Sequence, residues 1–251
     1  MAVIQIIPIT ISVDVRLYDD LSTTILEATS RSGEIEIQDE DILVVTHKII
    51  SKVEGRIMEL ASIKPSTKAI RMAKKHDKDP RIMELILKES TRILRAKNGI
   101  IITETKHGFV CANAGVDQSN VKGDMAVLLP VAPDRSARRL KDEVKKRIGK
   151  EVAVVISDTF GRPFRNGQTN VAIGIAGIDP IKSYIGTRDM YGKELRVSEI
   201  AVVDEIASAA ELVMGKTQGT PVAIVRGYKF EKAAKSSVKS LLRTRKLDLF
   251  R

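Results

Sequence analysis

Short apolar runs rich in β-branched residues recur along the chain and alternate irregularly with helical patterns. Runs of this length and composition predict strands. Two of them flank Lys106, His107 and Gly108, which predicts an antiparallel hairpin. The complete set of predicted strands is 3–7, 42–46, 100–104, 109–112, 127–129, 152–157, 171–175 and 222–225.

Three helices are predicted from the residues that begin and end them. Asp79 before Pro80 is an N-cap followed by a first-turn proline, and it begins the first helix. Asp134 begins the second helix, which Gly149 ends, and Ser198 caps the third. The expected apolar faces comprise Ile82, Leu85, Ile86 and Ile93 in the first helix, Ala137, Leu140, Val144 and Ile148 in the second, and Ile200, Val203, Ala207, Ala210 and Met214 in the third.

This irregular order predicts a mixed α/β (α+β) fold with antiparallel sheets and flanking helices, and not a regular βαβ series. The 251 residues, 43% of them hydrophobic, can form a catalytic unit over 1–230, as one large domain or two interleaved lobes. Residues 66–76 predict a solvated, lysine-rich helix. Residues 231–251 form a basic C-terminal tail that is expected to dock on the body through one helical face, comprising Val238, Leu241, Leu242 and Leu249.

The amino-acid composition limits the kinds of metal site and the cellular locations that the chain is expected to have. One Cys and three His exclude an internal disulfide and a Cys-rich zinc site, so a metal here would have mostly oxygen ligands, which favours Mg²⁺ or Mn²⁺. No run of 18 apolar residues is present, which predicts that no helix spans a membrane. The apolar segment 1–12 lacks a basic region before it and is expected to form a strand, not a signal peptide. We therefore expect a cytoplasmic protein.

The positive charge is unevenly distributed. Of the net charge of +10, half comes from 231–251, which holds seven basic and two acidic residues. The mildly basic remainder is typical of proteins that handle anionic small molecules. A nucleic-acid-binding module is an alternative, but the chain has only nine Phe and Tyr, no Trp and no recognised binding motif, so nucleic acid is an unlikely partner.

The segment 157–170 carries the densest set of polar groups. It follows an apolar strand and presents Asp158 and Thr159 beside a glycine-bearing loop, a pair of oxygens suited to a cation and a phosphate. Arg162 and Arg165 can each bind a phosphate or carboxylate through a planar fork. The alternative is a polar surface turn with an aspartate cap.

The segment 111–120 has a similar order, in which a strand leads to small residues and then to Asp117 and Asn120. Small residues allow the backbone to approach a ligand closely. Asp117 and Asp158 could share one divalent cation, although an aspartate in such a turn also commonly bonds its own backbone. Cys111 is interpreted as a small buried apolar residue.

The segment 46–52 places Lys48 and Lys52 four residues apart, so that both ammonium groups would face one side of a helical turn and suit a polyphosphate. Two surface lysines are an equally good interpretation of the spacing, and His47 could be a hydrogen-bonding residue. The Gly-Lys-Thr at 215–217 is not a P-loop, because Ala210 stands where the first glycine belongs and the segment follows a helix.

Several of these segments resemble the coenzyme F420-0:gamma-glutamyl ligase family, in the same order and over about residues 1–230. The resemblance implies an α/β homodimer that uses GTP and divalent cations to attach L-glutamate to a deazaflavin precursor, with a second glutamate added through a γ-linkage. K⁺ is a further possible cofactor. The motifs that carry the resemblance are Ser51-Lys-Val-Glu-Gly-Arg56, Asn113-Ala-Gly-Val-Asp117, Ser157-Asp-Thr-Phe-Gly-Arg-Pro-Phe-Arg165, Gly167-Gln-Thr-Asn-Val-Ala-Ile-Gly174 and the stretch 194–215.

The resemblance also assigns roles to residues. It implies that Asp117 and Asp158 bind one metal and Thr159 a second, with Gln218 as a further ligand. Phe164 stands where the family is expected to have Trp, and the loop between Pro8 and Asp19 is longer than expected. The guanine-nucleotide contacts that it implies are Ile7, Pro8, Ile9, Thr10, His47, Lys48, Lys52, Asn120, Met214, Gly215, Lys216, Thr217, Gln218, Gly219, Thr220 and Pro221.

The expected activity is phosphoryl transfer from GTP to a carboxylate, followed by attack of an amine on the acyl phosphate. Asp117, Asp158, Arg162 and Arg165 are the expected catalytic residues. Another nucleotide-dependent carboxylate–amine ligase with a different acceptor is the alternative.

Overall fold

The computed structural model describes residues 3–31 and 35–249. The strands are β1 Gln5–Ile9, β2 Ile42–Thr46, β3 Ile57–Glu59, β4 Ser90–Lys97, β5 Ile100–Thr105, β6 Val110–Ala112, β7 Met125–Val127, β8 Ala153–Gly161, β9 Gln168–Ala176, β10 Lys182–Ser183, β11 Glu199–Ile200 and β12 Val222–Arg226. The α-helices are α1 Leu21–Arg31, α2 His47–Val53, α3 Thr67–His76, α4 Pro80–Glu89, α5 Pro133–Ile148 and α6 Val202–Met214. Single 3₁₀ turns cover Leu60–Ser62, Asn113–Gly115, Val238–Leu241 and Arg245–Leu247.

The largest sheet has five strands in the order β1-β12-β2-β8-β9. Only β2 and β8 are parallel within it, and the other neighbours are antiparallel. The first four residues of β2 are fully buried, as expected for a central strand with both faces covered. Residues from α1, α5 and α6 complete this first apolar cluster.

A second apolar cluster lies apart from the five-stranded sheet. It combines side chains of α3, α4 and β5, among them Ala69, Met83, Ile86 and Ile101. Strands β4, β5 and β6 form an antiparallel sheet beside it, and β3 pairs with β7. The fold is therefore mixed α/β with both antiparallel and mixed sheets, as the sequence predicts. The division of the chain at residue 230 stays a prediction.

Each predicted strand overlaps an observed one, and 42–46 coincides with β2. The predicted hairpin is confirmed by the pairing of β5 with β6, including Thr103 with Cys111. The predicted helix at 66–76 is also confirmed, since Ser66 caps α3 by accepting the Ala69 N–H at 3.2 Å. Within the described ranges, none of the helices combines the length and the apolar character needed to cross a membrane.

The prediction that Ile93 continues the face of α4 is wrong. Asp79 and Pro80 begin that helix as expected, but it ends at Glu89. Residues 90–97 form β4, in which Ile93 pairs with Thr103 of β5. Pairing with the next strand thus outweighs the helical spacing of the apolar residues.

The predicted starts of α5 and α6 also need correction. Ser198 caps no helix, because Glu199–Ile200 pairs with β10, and α6 begins after Ala201 without a side-chain cap. Helix α5 begins at Pro133, and the Asp134 carboxylate instead accepts the Ile175 N–H at 2.9 Å. Gly174 is required here, because a Cβ at that position would lie 2.5 Å from Pro133.

The tail docks, but not as one helix. It contains two 3₁₀ turns, and Val238 is buried in the first apolar cluster, with Leu241 and Leu242 packed against it. The Asp134 carboxylate accepts the Ser237 hydroxyl at 2.6 Å and the Val238 N–H at 3.2 Å. Leu249, expected on the docking face, is 86% exposed.

Candidate active site

A cleft of about 900 Å³ opens where the two apolar clusters meet. Ile49 of the first cluster and Val116 of the second both line it. The polar segments singled out from the sequence contribute to its walls, together with the loop 11–15. The order of the five-stranded sheet sets β2 beside β8, and the bond from Lys48 Nζ to Ser119 O holds the turn after β6 near α2.

The sequence predicted that Asp158 follows the end of a strand over 152–157, but the strand is longer and Asp158 lies within it, in β8. β2 pairs with β8 as far as Thr46 opposite Ser157, and there β2 gives way to α2. β8 continues to Gly161 along β9 alone, past a register shift at Ser157. Beyond that point β8 has no paired strand on the β2 side, and Asp158 Oδ1 lies 3.2 Å from Nε2 of buried His47.

Asp117 is held by backbone and side-chain partners. It forms an antiparallel bridge with Val127, and its carboxylate accepts the Ser119 N–H and hydroxyl, each at 2.8 Å. Lys48 Nζ lies 2.6 Å from Asp117 Oδ2. Burial raises the pKa of Asp117, but the bonds from Lys48 and Ser119 outweigh it and lower that pKa below its ordinary value. Asp117 is therefore a carboxylate at neutral pH.

Lys52 reaches the cleft from the next turn of α2, which confirms that the two lysines face the same side of the helix. Its Nζ lies 3.2 Å from Asp14 Oδ1, and Lys122 Nζ lies 2.9 Å from Asp14 Oδ2. The bonds from Lys122 and Lys52 lower the pKa of Asp14. Asp14 was not among the residues singled out from the sequence.

The segment after α6 forms another wall. The helix ends at Met214, and Gly215 follows with φ +57°, which confirms that Gly-Lys-Thr here follows a helix and is not a P-loop. Backbone bonds anchor the loop, from Ile11 N to Gly219 O at 3.0 Å and from Thr46 N to Pro221 O at 2.9 Å.

The cleft brings together most of the residues singled out from the sequence. Those that line it are His47, Lys48, Lys52, Asp117, Asn120, Asp158, Thr159, Gly215, Lys216, Thr217, Gly219, Thr220 and Pro221. Those that do not are Ile7, Pro8, Ile9, Thr10, Met214, Gln218, Arg162 and Arg165.

Most residues of the second group lie in the core, in β1 or in a loop beside the cleft. Ile9 and Met214 are buried in the apolar core, and Ile7 and Pro8 belong to β1, paired with β12. The loop after β1 places Ile11, Val13, Asp14 and Val15 at the cleft instead. Arg162 donates to Asn166 O at 2.6 Å within its own loop, whose ends, Gly161 and Gln168, do line the cleft.

Sequence reasoning did not assign a role to several cleft residues. Among them are Asn170, Ser157 and Asn113. Glu211 was missed because it lies on a helix with a strong apolar face. The available signal was its spacing with Asp204 and Ser208, which sets three polar side chains along one stripe of α6.

The donor set suits a hard cation. Ser157 Oγ and Asn113 Oδ1 are buried beside the cleft and have no hydrogen-bond partner within the described part of the chain. The carboxylates nearby add further oxygens, which are the ligands that Mg²⁺ and Mn²⁺ prefer. No cluster of three His, Cys, Asp or Glu side chains is found in residues 3–31 and 35–249. This is compatible with Mg²⁺, which commonly takes one or two carboxylates and completes its shell with water and substrate phosphates.

Cys111 lines the cleft but is unsuited to nucleophilic attack. Burial raises the pKa of its thiol to about 12, and the charge of Asp158 adds to the rise. The thiol therefore stays protonated at neutral pH. Since the thiolate is the nucleophilic form, Cys111 is a poor nucleophile.

The structure thus defines a protein of mixed α/β fold in which lysines beside carboxylates line a cleft of about 900 Å³, an arrangement that suits an anionic substrate. The chain belongs to the F420-0:gamma-glutamyl ligase family, whose model matches residues 12–227. It is thus a member of a family of ligases that form carbon–nitrogen bonds.

Similarity to curated relatives extends over most of the chain. The chain is 47% identical to the coenzyme F420:L-glutamate ligase of Methanothermobacter thermautotrophicus over 235 residues, which are 93% of each chain. It is 42% identical to the enzyme of the same name from Methanopyrus kandleri, over 99% of this chain and 98% of the relative. Identity to the Methanocaldococcus jannaschii enzyme is 44%, over 86% of each chain.

Proposed function

We propose that this enzyme joins L-glutamate to the deazaflavin precursor F420-0 at the expense of GTP, giving F420-1, GDP and phosphate. A second glutamate, attached through a γ-linkage, then gives F420-2. Family membership and the names of the relatives support glutamate and F420 as substrates. The observation that carries the proposal is the convergence of three lysines and two aspartates on one cleft.

The chemistry requires an activated carboxylate. A carboxylate does not accept an amine directly, because oxide would have to leave. Attack of the precursor carboxylate oxygen on the γ-phosphorus of GTP forms an acyl phosphate and releases GDP. The glutamate amine then attacks the acyl carbon, the amide forms, phosphate leaves and the amine loses a proton. Such phosphoryl transfer depends mainly on positioning and charge neutralisation.

Lys48, Lys52 and Lys216 supply the neutralising charge. Each ammonium lies within 3.2 Å of a carboxylate oxygen, and each belongs to a residue that lines the cleft. A polyphosphate that binds here offers these ammonium groups new anionic partners. Charge-assisted bonds of this kind are the strongest hydrogen bonds that the chain can offer to phosphate.

Asp117, Asp158 and Thr159 would hold Mg²⁺ or Mn²⁺. Gln218, which the resemblance implies as a further ligand, does not itself line the cleft, although Thr217 and Gly219 on either side of it do. The cations supply charge neutralisation of the bound phosphates. Within the protein, His47 orients Asp158 through their 3.2 Å contact, and Lys48 and Ser119 orient Asp117. The guanine specificity and a role for K⁺ rest on the resemblance.

Arg162 and Arg165 belong to the loop between β8 and β9, whose ends line the cleft. We assign them to anionic groups of the acceptor at the mouth of the cleft, where a planar guanidinium can bind phosphate or carboxylate. No side chain is assigned as the base that accepts the proton of the amine.

The direct test is to incubate the enzyme with GTP, Mn²⁺, L-glutamate and F420-0. Product masses should show one and then two added glutamates, with GDP and phosphate released in step. Parallel reactions with ATP, and with other carboxylate acceptors, test the alternative ligase. Turnover of a different acceptor in preference to F420-0 would refute the proposed substrate, and equal use of ATP would refute the proposed nucleotide.

We also propose a homodimer, as the resemblance implies. Residues 182–200 form an antiparallel arm, closed by β10 and β11 and by the bond from Gly186 N to Leu195 O at 2.9 Å. Large apolar side chains are exposed along it, which soluble monomers seldom show in a cluster. These side chains are Ile185, Met190, Tyr191 and Val197. A second copy of this chain is the proposed occupant of that surface.

A further inference from the structure

Four side chains form a closed ring of polar contacts at the edge of the cleft. Thr159 Oγ1 lies 2.6 Å from Asn170 Oδ1, and Asn170 Nδ2 lies 2.9 Å from Glu211 Oε2. Lys216 Nζ closes the ring, at 3.1 Å from Glu211 Oε1 and 2.5 Å from Thr159 Oγ1. The ring joins β8, β9, α6 and the loop after α6.

The chemistry of these groups fixes the direction of every bond. A carboxylate only accepts, so the amide of Asn170 must turn its NH₂ toward Glu211. Its carbonyl oxygen then faces Thr159 and can only accept, so the Thr159 hydroxyl must donate its proton there. Lys216 only donates, and its contact with Thr159 uses a lone pair of the same hydroxyl.

A rigid frame holds the ring. Asn170 is only 3% exposed. Its backbone carbonyl accepts the Ser208 hydroxyl at 2.8 Å, and the Asp204 carboxylate accepts the Ala172 N–H at 2.8 Å. Asp204, Ser208 and Glu211 thus bind α6 to β9, the edge strand of the five-stranded sheet, whose outer backbone groups would otherwise lack partners.

We propose that Asn170 and Glu211 are positioning residues that turn the Thr159 proton away from the cleft, so that this hydroxyl presents only lone pairs there. A hydroxyl held in this way binds electron-poor partners, an ammonium or a metal cation, and offers no proton to a phosphate oxygen. The inference rests on the proposed function for the identity of the partner, a divalent cation bound together with a guanine nucleotide.

A double-mutant cycle tests whether Glu211 acts through the Thr159 hydroxyl. The dissociation constant of Mn²⁺–GDP is measured by calorimetry for the wild type, Glu211→Gln, Thr159→Val and the double variant. Glutamine can present either end of its amide to Asn170, so the fixed direction is lost. We expect about tenfold weaker binding in Glu211→Gln, within the range for one charge-assisted bond. In the Thr159→Val background the same change should alter binding by less than about twofold.

Ser208→Ala is the matched control. It removes the bonds of its hydroxyl to the Asn170 backbone carbonyl and to the Thr169 hydroxyl, which tie α6 to β9, but it leaves the direction of the Asn170 side-chain amide set by Glu211. It should lower the melting temperature without weakening Mn²⁺–GDP binding. An equal loss of binding in both Thr159 backgrounds would overturn the proposal, since Glu211 would then act through Lys216 or on the cation itself.

A second measurement does not depend on nucleotide binding. In NMR spectra of the protein alone, the side-chain amide protons of Asn170, assigned by their loss in Asn170→Ala, should exchange slowly with solvent. They should stay protected in Thr159→Val and lose protection in Glu211→Gln. Rapid exchange in the wild type would overturn the proposal. Absence of Mn²⁺–GDP binding by a wild type with protected amide protons would instead refute the proposed function and leave the orientation of Asn170 established.

Discussion

At the scale of single residues, the cleft is a set of matched charges. Asp117 pairs with Lys48, and Asp14 pairs with Lys52. In both pairs the aspartate side chain is partly exposed to solvent. Exposed pairs of this kind contribute little to stability, because solvent screens them and ordering the side chains costs entropy. Their replacement should therefore affect ligand binding more than folding.

Asp158→Asn and Asp117→Asn should each abolish glutamate ligation while leaving the fold intact. An amide has almost the size of a carboxylate but no charge, so it binds a divalent cation poorly. Because both residues are proposed to act on one ion, the double variant should be hardly worse than either single one. Product formation and Mn²⁺ affinity by calorimetry are the measurements. Multiplicative losses, or unchanged metal affinity in either variant, would contradict a shared site.

Lys52→Ala should raise the KM for GTP about ten- to a hundredfold, since one charged bond to phosphate contributes about 1.5–3 kcal/mol. The melting temperature should barely move, because Lys122 still pairs with Asp14. Lys122→Ala is the matched control, since Lys122 shares Asp14 but does not line the cleft. A large fall in melting temperature with an unchanged KM would favour a structural role for Lys52.

At the scale of elements, the first helix illustrates how local chemistry sets stability. Asp20 precedes α1, and its carboxylate accepts the Ser22 hydroxyl at 2.6 Å and the Thr23 N–H at 3.1 Å. The Ser22 bond, the Thr23 bond and the nearby Arg147 lower the pKa of Asp20 to about 2. The charged form is thus favoured in the folded state.

The lowered pKa of Asp20 makes its contribution to stability depend on pH. The folded pKa of Asp20 lies below its ordinary value of 3.8, so its contribution to stability is present above pH 3.8 and is lost as the pH falls toward about 2. Asp20→Asn keeps a capping oxygen but loses the charge. Urea unfolding should show the variant less stable at pH 7, with a difference that narrows below pH 3.8. A difference that is constant with pH would show that the charge of Asp20 does not contribute.

The tail is a second element with a testable role. Truncation after Phe230 should lower the unfolding free energy by roughly 3 kcal/mol, because it exposes the site of Val238 and leaves Asp134 without two of its donors. Turnover per folded molecule should persist, since among the described residues none after Pro221 lines the cleft. Leu249→Ala is the control and should leave stability unchanged. Loss of turnover in a folded truncated enzyme would give the tail a catalytic role.

At the scale of the whole molecule, two apolar clusters share one cleft. Asp117 follows Ala114 and Val116, whose side chains belong to the second cluster, and Asp158 lies in β8 of the five-stranded sheet. Both aspartates therefore depend on how the clusters pack together, which neither segment determines alone.

The proposed dimer is tested at this scale. Sedimentation equilibrium should give twice the chain mass for the wild type, and Tyr191→Asp should shift the protein toward the monomer, because a charge in an apolar interface is costly to bury. Leu249→Asp is the control, an exposed apolar residue outside the arm. A monomeric wild type, or a dimer that Tyr191→Asp does not weaken, would contradict the role of the arm.

The sequence by itself determined the features that depend on near neighbours. Strand β2 follows from five consecutive apolar and β-branched residues, α3 from Ser66 at its start, and the hairpin of β5 and β6 from its turn. The placement of Lys48 and Lys52 on the same side of a helix needed only their spacing. The helix and the turn are local because each satisfies its own backbone within a few residues. Strand β2 bonds to β8 and β12, and its sequence revealed it because a strand covered on both faces is apolar at successive positions.

Only the tertiary structure decided the features that depend on distant partners. The same apolar spacing that predicted a longer α4 allowed Ile93 to join a strand, because β5 offered a partner for its backbone. The path of the loop after β1 placed Asp14, and not Thr10, at the cleft. Glu211 became a polar anchor because the packing of α6 against β9 sets its carboxylate beside the Asn170 side-chain amide. Each of these outcomes depends on a partner in another element, and a pattern within one segment cannot contain it.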